Sequence, residues 1–193
     1  MTTLIIGLAL FLGVHSVSIV NAAWRDNVVA RIGKGPWQGL YSLVAAAGLV
    51  LVVYGYGVAR QDPVILYVPP LWLRHLTLGL MIPVFVLLLA PYFPGRIQTT
   101  ARHPMLLATK LWALAHLFAN GTLADVVLFG SFIAWAGMDR VSMKRREQRE
   151  VPGASPSKWN DLIVLALGLI IYAVMVGGAH LRLIGMPVGT PWG

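Results

Sequence analysis

Six apolar runs, at 3–22, 37–59, 71–91, 104–120, 123–138 and 159–181, take up most of this chain of 193 residues. Each is close to the ~20 residues that a helix needs to cross the hydrocarbon core of a bilayer. The pattern predicts an all-α fold: a polytopic transmembrane helix bundle of about six helices, forming a single integral membrane domain over 1–193. Composition agrees, with 58% hydrophobic and 11% charged residues, against roughly 25% charged in water-soluble domains. The fifth run has only sixteen residues and has to stand upright or borrow its ends from the interface. Pro83, midway in the third run, predicts a kink. No internal repeat is visible.

The formal charge of +8 does not point to nucleic acid, because the basic residues fall between the apolar runs and form no single stripe. If the N-terminus lies outside, the inner loops hold Arg25, Arg31 and Lys34, then Arg96 and Arg102, then Arg140, Lys144, Arg145, Arg146, Arg149 and Lys158. Only Arg60, Arg74 and Arg182 fall outside. Eleven against three is a strong positive-inside bias, and it predicts both termini on the non-cytoplasmic side of a cytoplasmic membrane. Trp24, Trp37, Tyr67, Trp72, Tyr92 and Trp159 stand at the ends of the runs, as an aromatic belt does. The basic stretch 139–158 reads as a solvated cytoplasmic loop lying near anionic headgroups. The first run lacks the basic start and small-residue cleavage site of a signal peptide, and reads as a retained helix. Close helix packing is expected at Ala45-Ala46-Ala47-Gly48, at Gly130-x-x-x-Ala134 and at Gly177-Gly178.

There is no cysteine. Disulfides, thiolate metal sites, iron–sulfur clusters and covalently attached haem are thereby excluded. Chemistry has to come from the histidines, and residues 101–121, ARHPMLLATKLWALAHLFANG, hold two of the five. Pro104 suits the first position of a helix, and His103 before it is pushed out of the α region. His116 then lies about 18 Å along that helix, and His15 about 10 Å from the inner end of its own. Both are intramembrane, where ionisable groups are expensive and usually functional. His75, His103 and His180 sit near run ends and read as interfacial polar residues.

Two deep neutral imidazoles on separate helices fit a haem iron, whose apolar macrocycle belongs between membrane helices. A bare zinc site is disfavoured, since no further histidine or carboxylate stands at helical spacing to complete a tetrahedron. Trp112 and Asn120 share the face of His116 and would give it an aromatic wall and a polar neighbour. Depth alone leaves His103 open as the partner of His116. Lys110 lies on the face of His103; it snorkels, pairs with Asp125 or Asp139, or meets an anionic group such as a propionate.

The segments LFLGVHS (10–16), RH (74–75), 101–121, ADVVLFGSFIAWAGMDR (124–140) and SMKRR (142–146) resemble the NnrU family of bacterial membrane proteins over nearly the whole chain. The resemblance implies a link to nitrite and nitric oxide metabolism in the bacterial inner membrane. The family also includes the plastid 15-cis-zeta-carotene isomerase, which uses non-covalent haem b. Carried over by motif, its haem ligands fall on His15 and His116, with His103, Lys110, His75 and Arg102 as secondary candidates. The expectation is haem b between the first and fourth spans, serving redox metabolism or the cis–trans isomerisation of an apolar polyene. Such a substrate needs an apolar groove, for which Phe11, Trp112, Phe118 and Phe129 are available. A redox partner would suit the first activity.

Arg102-His103-Pro104 also resembles a motif of membrane methyltransferases that helps bind S-adenosylmethionine. Those enzymes pair it with a glutamate-rich motif after the next span, where this chain has the separated Glu147 and Glu150. A non-catalytic membrane partner or small-solute carrier is the third reading. An absorbance spectrum separates the three, because only a haem protein is red.

Overall fold

The computed structural model describes residues 1–147, 151–186 and 188. It is all-helical: α1 (Thr2–Val20), α2 (Ala22–Ile32), α3 (Lys34–Ala59), α4 (Leu71–Leu89), α5 (Arg96–Ala101), α6 (Pro104–Ala119), α7 (Leu123–Ser142), α8 (Asn160–Val174) and α9 (His180–Ile184). Among the described residues four helical stretches are long and apolar enough to cross a membrane, namely Thr2–Val20, Lys34–Ala59, Leu71–Tyr92 and Asn160–Ile184, and Pro104–Ala119 is a shorter apolar helix. Leu43, Val50, Val53, Ile170 and Val174 on these helices are exposed, which suits side chains that face lipid.

Several boundaries differ from the hydropathy reading. The stretch after the first run folds as α2, capped by the Asn21 side chain, which accepts from the Trp24 N–H at 2.9 Å. With Arg25, Asp26 and Arg31 it is too polar for a hydropathy scan to find. The short α5 was hidden in the same way by Arg96, Gln98 and two threonines. The fifth run is a full 20 residues instead of sixteen. Asp139 stays inside α7 because its buried carboxylate accepts from Arg146 at 2.5 Å, so the basic loop begins after Ser142. Arg149 and Glu150 of that loop lie outside the described residues. Pro83 lies within α4 without ending it, and the last run breaks at a π-turn, Met175–Ala179, where Gly178 adopts φ 134°.

The helices divide into two compact units. Unit 1 comprises Met1–Leu66 and Thr122–Gln148. Here α1 and α3 pack antiparallel, and their backbones approach closely at three glycines. Gly7 lies against Leu51 and Val52, Gly48 against Phe11, and Gly55 against Leu4. Of the three small-residue clusters expected to pack closely, Gly48 does so. Gly130 and Gly177 have nothing within 4 Å of an added Cβ, and Gly178 serves the backbone turn. The α7 helix runs parallel to α1, with Phe11 5.9 Å from Phe132 and His15 6.0 Å from Trp135 between ring centroids. Its start is a capping box: Thr122 Oγ1 accepts from Asp125 N–H at 3.2 Å, and the Asp125 carboxylate accepts from Thr122 N–H at 2.8 Å. The Tyr56 hydroxyl donates to the same carboxylate at 2.5 Å.

Unit 2 comprises Tyr67–Gly121 and Arg149–Gly193. The α4 and α6 helices pack antiparallel around Val84, Leu87 and Ala108, and higher up Thr77 Oγ1 donates to Ala115 O at 2.8 Å. On another face of α4, Val86 and Ala90 meet Val164 of α8, where Gly168 lets the helices close on Val86. Asp161 caps α5 from a distance, accepting from Arg96 N–H and Ile97 N–H at 3.0 Å each. That satisfies amide groups which a helix start leaves without partners.

Between α5 and α6 the chain makes a γ-turn centred on Arg102, with φ 57°, ψ −48° and His103 N–H donating to Ala101 O at 2.6 Å. This conformation is rare and strained for a residue bearing a Cβ. Arg102→Gly is therefore expected to raise stability by about 1 kcal/mol, read as a higher thermal midpoint in detergent. An unchanged or lower midpoint would show that the arginine side chain outweighs the backbone strain.

Candidate functional site

The candidate ligands are best followed ring by ring. His15 lies on α1 in unit 1, where Nδ1 is 2.6 Å from Phe11 O, the carbonyl four residues back. A carbonyl can only accept, so Nδ1 carries a proton, and the tautomer this selects has its lone pair on Nε2. Aromatic rings surround it. Phe11 is at 4.4 Å, Tyr41 of α3 at 5.3 Å and Trp135 of α7 at 6.0 Å between centroids. The Trp135 indole N–H is buried without a hydrogen-bond partner.

His116, on α6 in unit 2, repeats the arrangement. Its Nδ1 lies 2.8 Å from Trp112 O, again four residues back, and the Trp112 ring stands at 5.3 Å. The aromatic wall expected from helical spacing is present. Asn120 is turned to the backbone, its amide donating to His116 O at 3.0 Å instead of to the ring.

A third ring follows the same rule. His180, which chain position made a mere interfacial residue, sits just beyond the π-turn with Nδ1 2.7 Å from Met186 O. Its centroid is 6.4 Å from that of His116, with the planes 31° apart. Hydropathy missed this pairing because it assumes one uninterrupted last helix. The turn at Gly178 redirects the chain at the residue before Ala179 and His180, and a Gly-Gly pair was the available signal.

The secondary candidates are dispersed. His75 is exposed on α4, and His103, partly buried, is the N-cap of α6 with φ −132°, ψ 66°. Arg102 is exposed in the γ-turn, and Lys110 is partly buried midway along α6. The acids considered for Lys110 are already engaged, Asp125 by Tyr56 and Thr122 and Asp139 by Arg146. Of the methyltransferase-like glutamates, Glu147 is exposed and Glu150 lies outside the described residues. Among the described residues no group of three or more His, Cys, Asp or Glu side chains could hold a metal ion. Arg74, in contrast, is 9% exposed and its Nε–H has no partner.

The donor set of each unit is small: the His15 imidazole and the orphaned Trp135 indole N–H in unit 1, and the His116 and His180 imidazoles with the buried Arg74 guanidinium in unit 2. It fits a macrocyclic metal cofactor, which brings its own equatorial ligands and carboxylates, better than a bare ion that needs four protein ligands. A family model described as NnrU protein matches residues 3–188. No curated protein and no solved structure gives a match.

Proposed function

This chain belongs to the NnrU family, and we infer that it is a multi-pass haem-b protein of the bacterial cytoplasmic membrane. Both termini would lie on the non-cytoplasmic side, a placement supported by the positive-inside bias. The observation that carries the haem reading is the shared orientation of His15 and His116, each with Nδ1 held by the carbonyl one turn earlier. Metal-bound histidines characteristically spend the second ring nitrogen on such a partner, which fixes the tautomer and raises the basicity of the ligating nitrogen.

Bound haem b would supply redox and Lewis-acid chemistry at iron, of the kind used in nitrite and nitric oxide metabolism or for cis–trans isomerisation of an apolar polyene. The chain's own part is to hold and shield that centre. Phe11 and Trp112 lend the carbonyls that aim the rings, and Tyr41 and Trp135 wall His15 with apolar surface. Polar residues near the iron set its potential through hydrogen bonds and local dielectric. Reducing equivalents, where used, would come from a redox partner.

His116 and His180 support a second choice of ligand pair, confined to unit 2. Their ring centroids lie 6.4 Å apart with the planes 31° from each other, and each Nδ1 is held by a backbone carbonyl, so the two rings would offer Nε2 within one unit. Protein purified in mild detergent is expected to be red, with a Soret band that shifts on reduction. His15→Ala should convert the ferric spectrum from low to high spin if His15 is the partner of His116, and His180→Ala should do so if His180 is. A colourless protein that binds S-adenosylmethionine and loses it in Arg102→Ala would replace haem binding with methyl transfer.

A further inference from the structure

The α4 stripe that faces α6 runs Arg74, Thr77, Met81, Val84 and Leu88, at alternating spacings of three and four. Val84 is buried with Ala108, Met81 and Leu88 pack on that cluster, and Thr77 donates to Ala115 O. Arg74 is the next residue of the same stripe. In this antiparallel pair Val84 meets Ala108 and Thr77 meets Ala115, so Arg74 falls level with Phe118, roughly 3 Å of helix rise beyond His116. The residue is 9% exposed, its Nε–H has no partner, and it takes part in neither the Arg25–Asp26 nor the Arg146–Asp139 ion pair.

A buried cation is ordinarily paired or heavily hydrogen-bonded, because its desolvation otherwise goes uncompensated. Among the described residues no anion is paired with Arg74. The one carboxylate among the described residues of its unit, that of Asp161, is spent on the α5 amides. A guanidinium presents its N–H groups as a planar fork matched to a carboxylate. We propose that Arg74 is the anion-binding residue of the centre at His116, pairing with a propionate carboxylate of the bound haem. This rests on the haem reading and adds to it a residue that orients the macrocycle and chooses among porphyrins by their acid groups.

The test loads purified protein with haem b or with its dimethyl ester, which keeps iron and ring but has no carboxylate, and follows the Soret band by titration. Wild type is expected to bind the diacid roughly tenfold or more tightly than the diester, since charge-assisted bidentate bonds are among the strongest available. Arg74→Gln should lose that preference while holding the diester as wild type does, and Arg74→Lys should keep part of it. The wild-type comparison needs no variant and stands even if Arg74→Gln fails to fold. Equal affinity of wild type for the two porphyrins overturns the proposal. So does a preference that survives in Arg74→Gln, as expected if water alone solvates the guanidinium. If a lipid phosphate is the true anion, Arg74→Gln will instead shed a co-purifying anionic phospholipid in native mass spectrometry, with the porphyrins still equal. A wild type that takes up neither porphyrin removes the haem reading itself, and this inference with it.

Discussion

His116→Ala is expected to lower haem retained after purification by on the order of tenfold or more. Removing even an outer partner of a metal ligand costs roughly 10–100-fold in affinity, and here the ligating nitrogen itself would go. The ring stands partly buried against Trp112 with Nδ1 held by Trp112 O, and alanine leaves no nitrogen in its place. The measurement is Soret absorbance per protein, with exogenous imidazole added to refill the vacated volume. Rescue by imidazole would separate loss of a ligand from loss of fold. A variant as red as wild type, with the same spin state, would exclude His116 from the centre and leave the histidines of α1 and α9 to be tried without it.

The second large effect concerns packing. Gly48→Ala should destabilise unit 1 by about 2 kcal/mol, although alanine is the better helix former by roughly 1 kcal/mol. An added Cβ at Gly48 would lie 2.6 Å from Phe11 N, a backbone atom that cannot rotate away. Gly130→Ala is the matched control, since nothing lies within 4 Å of its added Cβ; it should be neutral or slightly stabilising. Both are read as midpoints of thermal or denaturant unfolding in the same detergent. Because Phe11 also holds His15 Nδ1 at 2.6 Å, the Gly48 variant should disturb the haem spectrum as well. Equal behaviour of the two variants would mean that α1 and α3 do not meet as described.

Legibility in the sequence followed the physics of each feature. Long apolar runs and the Pro104 start of α6 are written in local hydrophobicity and backbone restriction, and each run is helical, although the fifth is longer than expected and the last is broken at Met175–Ala179. The α2 and α5 helices are not, because their stability comes from caps, Asn21 for one and the distant Asp161 for the other. Helical spacing placed Trp112 beside His116 correctly. It could not foresee that His15 and His116 share the same Nδ1 anchor, since that depends on side-chain rotamers. It was blind also to His180, which reaches His116 only because Gly178 leaves the helical conformation, and to Arg74, whose place in a buried stripe emerges only once α4 is laid on α6.

The glycine seam between α1 and α3 also bears on the order of assembly. Its contacts lie wholly within the first sixty positions, so an emerging chain can close this hairpin before α4 has left the ribosome, as low sequence separation favours. Phe11 and Tyr41 would flank the His15 imidazole from that moment. Trp135 arrives only with α7, which makes the surroundings of His15 an early cradle with a late wall.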